Sequence, residues 1–241
     1  MFNIEWFWVY WLINFHISSV VFTLYMHRGI GHRMCTFSPF ASHVFRFILW
    51  IGSKLGPQYV ETYAVKHRKH HACSDSPDDP QSPFYLTFRQ QISPWKLNEE
   101  GLRNSDIRSP NDWIERTLYI PYYKHGHWVA HLIAGLFFGV WGFVISYVVR
   151  MATYRWLGIT LGNILFHKIG FTYAGNKHPT DRSRNLLPWG ILMAGEELHA
   201  NHHNDSTNPN YRQRWFEIDI GYIYACILSK LGMLQFTRKK L

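Results

Sequence analysis

The chain has 241 residues, 47% of them hydrophobic and 17% aromatic, with a formal net charge of +9. Its mean hydropathy of -0.19 confines membrane spans to part of the chain and leaves the rest for a polar cap, within one domain over residues 1–241. The charge does not read as a nucleic-acid footprint: all 25 Lys and Arg follow Met26, a distribution suited to anionic lipid headgroups or an anionic carrier, with no nucleic acid as partner.

From Trp6 to Met26 there is no Asp, Glu, Lys or Arg. As a helix this run reaches about 31 Å, enough to cross the hydrocarbon core. It is read as a span and not as a cleavable leader, because no basic residue precedes it and cleavage would detach it from His27. Trp6, Trp8, Tyr10 and Trp11 suit an interfacial aromatic belt. A break at Thr36–Pro39 precedes Phe40–Leu55, which contains Arg46 and Lys54 and is expected to be an interfacial amphipathic helix, with a short re-entrant segment as the alternative. After Gly56-Pro57, a helix begins at about Val60, and Ser74–Pro83 is a loop. Residues 84–121 are expected to form the polar cap. A hairpin of two spans follows, 122–138 and 141–166, turning at Gly139–Gly142. Gly170–Pro188 is loop, another helix starts at about Trp189, and Ile218–Met233 is expected to pack amphipathically against the cap. The predicted fold is an all-α integral membrane protein: three transmembrane helices, about 6–26, 122–138 and 141–166, plus interfacial helices and a cytoplasmic helical cap. The basic residues place the N-terminus outside and the C-terminus in the cytoplasm. Cys35, Cys73 and Cys226 lack paired spacing, which suits a reducing cytosol.

Three histidine clusters dominate the chain: His27/His32, His67/His70/His71 and His199/His202/His203. Neutral imidazole is a strong ligand for first-row metals. Positions i, i+3 and i+4 share one helix face, so the second and third clusters are each expected to offer three nitrogens to one point. His27 and His32 lie about 140° apart on an α-helix and reach a common site only if the helix meets it side-on. Eight imidazoles are too many for one tetrahedral zinc and suit two metal ions.

These clusters, in this order and spacing, resemble the membrane fatty-acid desaturases, and most closely the compact bacterial acyl-CoA desaturases of the delta-9 type. The matching stretches are Met26–Arg33, His67–His71 followed by Asp78–Pro83, and Trp189–His203; Trp215–Gly221 also looks familial. The resemblance implies a desaturase in a bacterial inner membrane, with its active site on the cytoplasmic face. It implies two ferrous ions and dioxygen as co-substrate, and a fatty acyl substrate carried as a CoA thioester or on a lipid. It also implies a separate electron donor, such as ferredoxin or a cytochrome-b5-type protein with its reductase, since no His-Pro-Gly-Gly motif marks a fused cytochrome-b5-like domain. A saturated C–H bond lacks useful acidity, so its hydrogen must be removed by an oxidant. The implied metal ligands are His27, His32, His67, His70, His71, His199, His202 and His203. A ninth ligand, His167, follows four residues after Asn163, which acts through water in relatives. Two departures, Tyr63 and Thr160, stand where relatives carry Trp in the acyl tunnel, and they leave chain length and bond position open.

Glu196 and Glu197 precede the third cluster and serve either to orient a ligand histidine or as helix-surface carboxylates. Asp78 and Asp79 are read as turn residues. His16 and His131 lie within spans and are expected to make interhelical hydrogen bonds. His43, His125 and His127 are read as interfacial, and His178 as a loop residue. The alternatives are a hydroxylase or ketolase of the same superfamily acting on a lipid or carotenoid, and a metal transporter. Transporter ligands sit near the midplane of the spans, unlike clusters at the cytoplasmic ends.

Overall fold

Most of the uncharged Trp6–Met26 run lies in helix α1, Ile4–Val21, capped by the Asn3 side chain, which accepts from the Trp6 N–H at 3.0 Å. The computed structural model describes residues 3–52, 57–87, 90, 106–107, 109–152, 162–173, 175–176 and 178–237. Helix α1 continues without a break as a π-helix, Phe22–Gly31. Together they make an apolar helix of 28 residues, long enough to cross a membrane. The wider π turn changes which residues face each other. The His32 N–H donates to the His27 carbonyl at 2.9 Å, a bond across five residues, so these two imidazoles lie one turn apart. The expected separation of 140° does not occur.

Strand β1, Cys35–Phe37, follows. Helix α2, Pro39–Gly52, buries Ala41, Phe45 and Leu49 on one stripe and exposes Phe40, Val44 and Phe47 on another, the pattern expected of an interfacial helix. Its Arg46 is buried and paired with Glu115, and with Asp112 at 2.5 Å. This ties residues of the expected cap to α2. Helix α3, Pro57–Ala72, carries the second histidine cluster. A short π turn at Glu115–Tyr119 leads into α4, Gly126–Ala152.

Helix α4 doubles back at Gly139, where φ is 70° and ψ is -168°. Across the fold, Trp128 stacks on Tyr147 with ring centroids 5.5 Å apart, and His131 pairs with Ser146 at 2.8 Å. The first arm starts at Gly126 instead of Tyr122; the Tyr122 carbonyl before it accepts from the Trp50 indole N–H and from the His125 N–H, each at 2.9 Å. The return arm reaches Ala152; residues 153–161, including Thr160, lie outside the described residues, and α5 occupies Gly162–Lys168.

The stretch before the third cluster is not helical. Trp189–Gly190 is a strand, β2, paired in parallel with β3, Ile218–Asp219, and only His199–Asn204 forms a helix, α6. Ala194 and Gly195 have φ of 54° and 102°, and this left-handed backbone prevents a helix from Trp189. Strand β4, Leu234–Phe236, pairs antiparallel with β1, so two small ladders qualify the all-α expectation. The C-terminal helix α7, Ile220–Lys230, packs on the N-terminal helix; residues 88–89, 91–105 and 108 of the expected cap lie outside the described residues. Its Ala225 joins a core with Leu24 and Met26, and its Tyr224 hydroxyl meets His16 at 3.1 Å.

At Gly139 a Cβ would meet nothing, but the backbone lies where essentially only glycine is stable. Gly139→Ala is therefore expected to cost about 1–3 kcal/mol. Its thermal unfolding midpoint in detergent should fall below wild type; an unchanged midpoint would show that the reversal does not need this conformation.

Candidate metal centre

The structure brings all nine candidate imidazoles together and sorts them into two groups. His27, His32, His67, His71 and His202 form one, and His70, His167, His199 and His203 the other; within each group one ligand atom from every residue lies within 4.8 Å of the rest. Helix geometry explains the sorting. At about 100° per residue, positions i and i+4 lie about 40° apart, whereas i+3 lies about 60° to the other side. Accordingly His67 and His71 face the first group while His70 faces the second. In α6, His199 and His203 face the second group and His202 the first. The second and third clusters each straddle both groups, so neither aims its three nitrogens at one point as expected.

Seven of the nine imidazoles are buried, and His32 and His71 are partly so. Burial, reinforced by neighbouring imidazoles, pushes His67, His71, His199 and His202 well below the usual histidine range. Burial lowers His203 to about 4, although the Asp181 carboxylate beside it acts to raise it. At neutral pH these rings are uncharged and offer a lone pair, as metal ligation requires.

A layer of carboxylates behind the rings orients them. The Nδ1 atoms of His27, His70, His167 and His203 meet Glu196 at 2.8 Å, Asp79 at 2.8 Å, Asp75 at 2.7 Å and Asp181 at 3.2 Å. A proton held on Nδ1 leaves the Nε2 lone pair facing inward. The Nε2 atoms of His27, His70 and His203 are buried with no hydrogen-bond partner among the described residues. Those of His67 and His32 stand 2.9 Å apart, and those of His167 and His199 3.0 Å apart. Convergent, unpartnered lone pairs fit a bound cation in each group.

The carboxylates are held in turn. Asp79 accepts the Gln81 N–H at 2.7 Å, the turn role expected of it, and also the Asp75 N–H at 2.8 Å. Asp78 is exposed. Asn201 donates to Glu217 at 2.9 Å. Arg28, fully buried, makes a bidentate pair with Asp219 at 2.9 and 3.0 Å and lies 3.8 Å over the Tyr211 ring, which packs 4.4 Å from His202. A Cβ on Gly195 would come within 2.8 Å of Arg28 Nη2, and one on Gly221 within 2.2 Å of the Ala194 carbonyl. These glycines let the Arg28–Asp219 pair close. Sequence reasoning missed Arg28, Asp75, Asp181 and Asp219; the last lies in the Trp215–Gly221 stretch already noted as familial. His178 is exposed in a turn and belongs to neither group.

An apolar cavity of about 210 Å³ adjoins the centre. Tyr10, Trp11, Phe15 and Phe22 line it along the N-terminal helix, and it ends against His27, His67, His70 and His199. Tyr63 is also in its wall, stacked 5.1 Å from His67. Asn163 lines it beside Gln81, to whose carbonyl it donates.

No family model matches the chain. It is 28% identical over 250 aligned positions to a hex-5-enoyl acyl-carrier-protein acetylenase of Moorena producens, covering 90% of this chain and 72% of that protein. It is 25% identical to an sn-1 stearoyl-lipid 9-desaturase of Synechocystis, covering 90% of this chain and 67% of that one. Over about nine-tenths of its length the chain is similar to fatty-acid desaturases and a related acetylenase, consistent with the fatty-acid desaturase superfamily. An acyl-CoA C20 Delta5-desaturase of Anemone leveillei is 24% identical, with 88% of this chain and 67% of the relative covered. Similarity thus runs through the whole histidine assembly and is not confined to the three clusters.

Replacing an orienting carboxylate is expected to lower metal affinity about 10–100-fold. Asp79→Asn should weaken the four-imidazole group and spare the five-imidazole group. Chelator competition on purified protein, with metal content counted, should show one weakened site out of two. Two sites of unchanged affinity would remove Asp79 from this role.

Proposed function

We propose that the chain introduces a carbon–carbon double bond into a fatty acyl chain, with dioxygen as oxidant and two ferrous ions as cofactor. The observation that carries this reading is the apolar cavity ending on two groups of convergent, mostly buried imidazoles. His27, His32, His67, His71 and His202 would hold one ion. His70, His167, His199 and His203 would hold the other, with Asn163 acting through water. Iron bound there would supply the oxidising power that removal of hydrogen from a saturated carbon demands and that zinc lacks.

The residues of the chain then have separable tasks. Glu196, Asp75, Asp79 and Asp181 keep the Nδ1 protons in place. Trp11, Phe15, Phe22 and Phe166 line the cavity, hold the acyl chain extended and exclude water. The cavity follows the helix from Tyr10 to His27, roughly 25 Å of helix. Tyr63, against both His67 and Phe22, is placed to set which carbons reach the centre. The relatives' names include acyl-carrier-protein, lipid and CoA substrates, and each is a candidate carrier here.

Expression in a host lacking its own desaturase, with fatty acids analysed by mass spectrometry, tests the reaction. Loss of two hydrogens is expected; gain of one oxygen would instead identify a hydroxylase or ketolase. His167→Ala should abolish the double bond and lower bound iron, whereas His178→Ala should match wild type. An active His167→Ala beside an inactive, iron-poor His178→Ala would overturn the ninth-ligand assignment.

We also propose three membrane crossings, at about 6–26, 122–138 and 141–166, with the N-terminus external and the centre on the cytoplasmic side of a bacterial inner membrane. The support is the uncharged Trp6–Met26 run within the N-terminal helix, the reversal at Gly139 and the absence of Lys and Arg before Arg28. A short N-terminal tag should be labelled from outside intact cells and a C-terminal tag should not. The reverse pattern would sink this orientation.

A further inference from the structure

Desaturation leaves an electron deficit that the chain must fill from outside. Converting –CH2–CH2– to –CH=CH– releases two electrons and two protons. Reducing dioxygen to two waters consumes four of each. Two electrons and two protons must therefore be imported on every turnover, the electrons from a one-electron carrier acting twice.

The distribution of charge shows where. Among the described residues from Gly162 onward, Asp181, Glu196, Glu197, Glu217 and Asp219 are buried, and Asp205 is the one exposed acid. The bases face outward. Lys168 and Arg182 are exposed and lie over the same Phe84 ring, 5.4 and 4.4 Å from its centroid. Arg184 follows, half-exposed, its Cβ against Gly170. None of these three lines the acyl cavity. Behind them the surface is wired to the second imidazole group. The Arg182 N–H donates to Asp75 Oδ2 at 2.9 Å, and the same oxygen takes His167 Nδ1 at 2.7 Å. The neighbouring Ser183 N–H donates to Asp181 at 2.9 Å, and Asp181 meets His203 at 3.2 Å.

We propose that the Lys168–Arg182–Arg184 face, centred on Phe84, docks an acidic one-electron carrier protein and admits electrons to the four-imidazole group. The proposal rests on the desaturase reading above. Two grounds select the carrier over a lipid headgroup: the basic rim complements an acidic partner, and the backbone under it is two hydrogen bonds from a candidate metal ligand. A lipid-facing patch would have no need of that connection.

The test uses the full chain, loaded with iron, in nanodiscs, and a plant-type two-iron ferredoxin with its NADPH-dependent reductase as the probe. Binding to immobilised ferredoxin is measured for wild type and for Lys168→Glu/Arg182→Glu/Arg184→Glu. About tenfold weaker binding is expected at low salt, with the difference shrinking as salt rises. A ferredoxin whose surface acids are changed to Lys should bind the variant better than wild type. Single-turnover desaturation driven by dithionite should be equal in both. Lys168→Gln/Arg184→Gln, which leaves Arg182 intact, guards against misfolding and should weaken ferredoxin binding in the same direction, with iron content unchanged. Unchanged ferredoxin binding in both variants overturns the proposal. So does unchanged ferredoxin binding with weakened capture on anionic vesicles or by acyl carrier protein, which assigns the face to that partner. Salt-sensitive ferredoxin binding without desaturation by wild type would sustain the docking face and refute the desaturase reading instead.

Discussion

Nine imidazoles can share one buried cluster only if their lone pairs, and not their protons, face inward. A ring with its proton turned inward cannot ligate a metal, and a protonated ring would place an uncompensated charge in a low-dielectric interior. The structure meets this condition from outside the cluster. Glu196, Asp75, Asp79 and Asp181 each occupy an Nδ1, and burial pushes His67, His71, His199 and His202 well below the usual histidine range. The carboxylates themselves are buried, so each needs its own donors, and the 74–82 and 181–183 loops supply backbone N–H groups to three of them. The loops are therefore shaped by the needs of these buried acids.

The second constraint is angular. A helix that presents His at i, i+3 and i+4 cannot aim all three at a point within ligand distance, because the i+3 ring diverges from the other two. Here that divergence is used. Helices α3 and α6 each lie edge-on between the two groups, contributing two rings to one side and one to the other. The first cluster is spaced by five and would diverge on an α-helix, yet both its rings join the same group. The π-helical continuation of α1 makes this possible by closing a hydrogen bond across those five residues. π-Helical geometry is found frequently at functional sites, and here the reason is visible.

Arg28 closes the structure behind the centre. It leaves the same π turn as His27, holds Asp219 through both carboxylate oxygens and covers the Tyr211 ring. Asp219 also caps α7 through Tyr222 N–H at 2.9 Å, so one buried ion pair joins the N-terminal helix to the C-terminal helix. A pair so placed contributes mainly by fixing geometry, since burying its charges costs nearly as much as their attraction returns. Gly195 and Gly221 are the space it needs. The same closure leaves the apolar wall of α1 free to line the cavity.

The residues that could be read from sequence alone are those whose chemistry is local. The nine histidines stand out by spacing or by resemblance, and Glu196 by adjacency. The N-terminal helix and the amphipathic α2 follow from runs and stripes that need no partner to be recognised. Asp75, Asp79 and Asp181 were not legible, because a carboxylate in a Ser- and Pro-rich loop looks like a turn residue until the imidazole it serves is brought to it from elsewhere in the chain. The helix expected from Trp189 failed for a related reason: the backbone at Ala194 and Gly195 bends to admit Arg28, a residue some 166 positions earlier. Sequence determined which side chains carry the chemistry, since the identity of a ligand is a property of one residue. Tertiary structure alone decided which ring faces which group and which acid holds it, since direction and proximity are properties of pairs that the fold must first bring together.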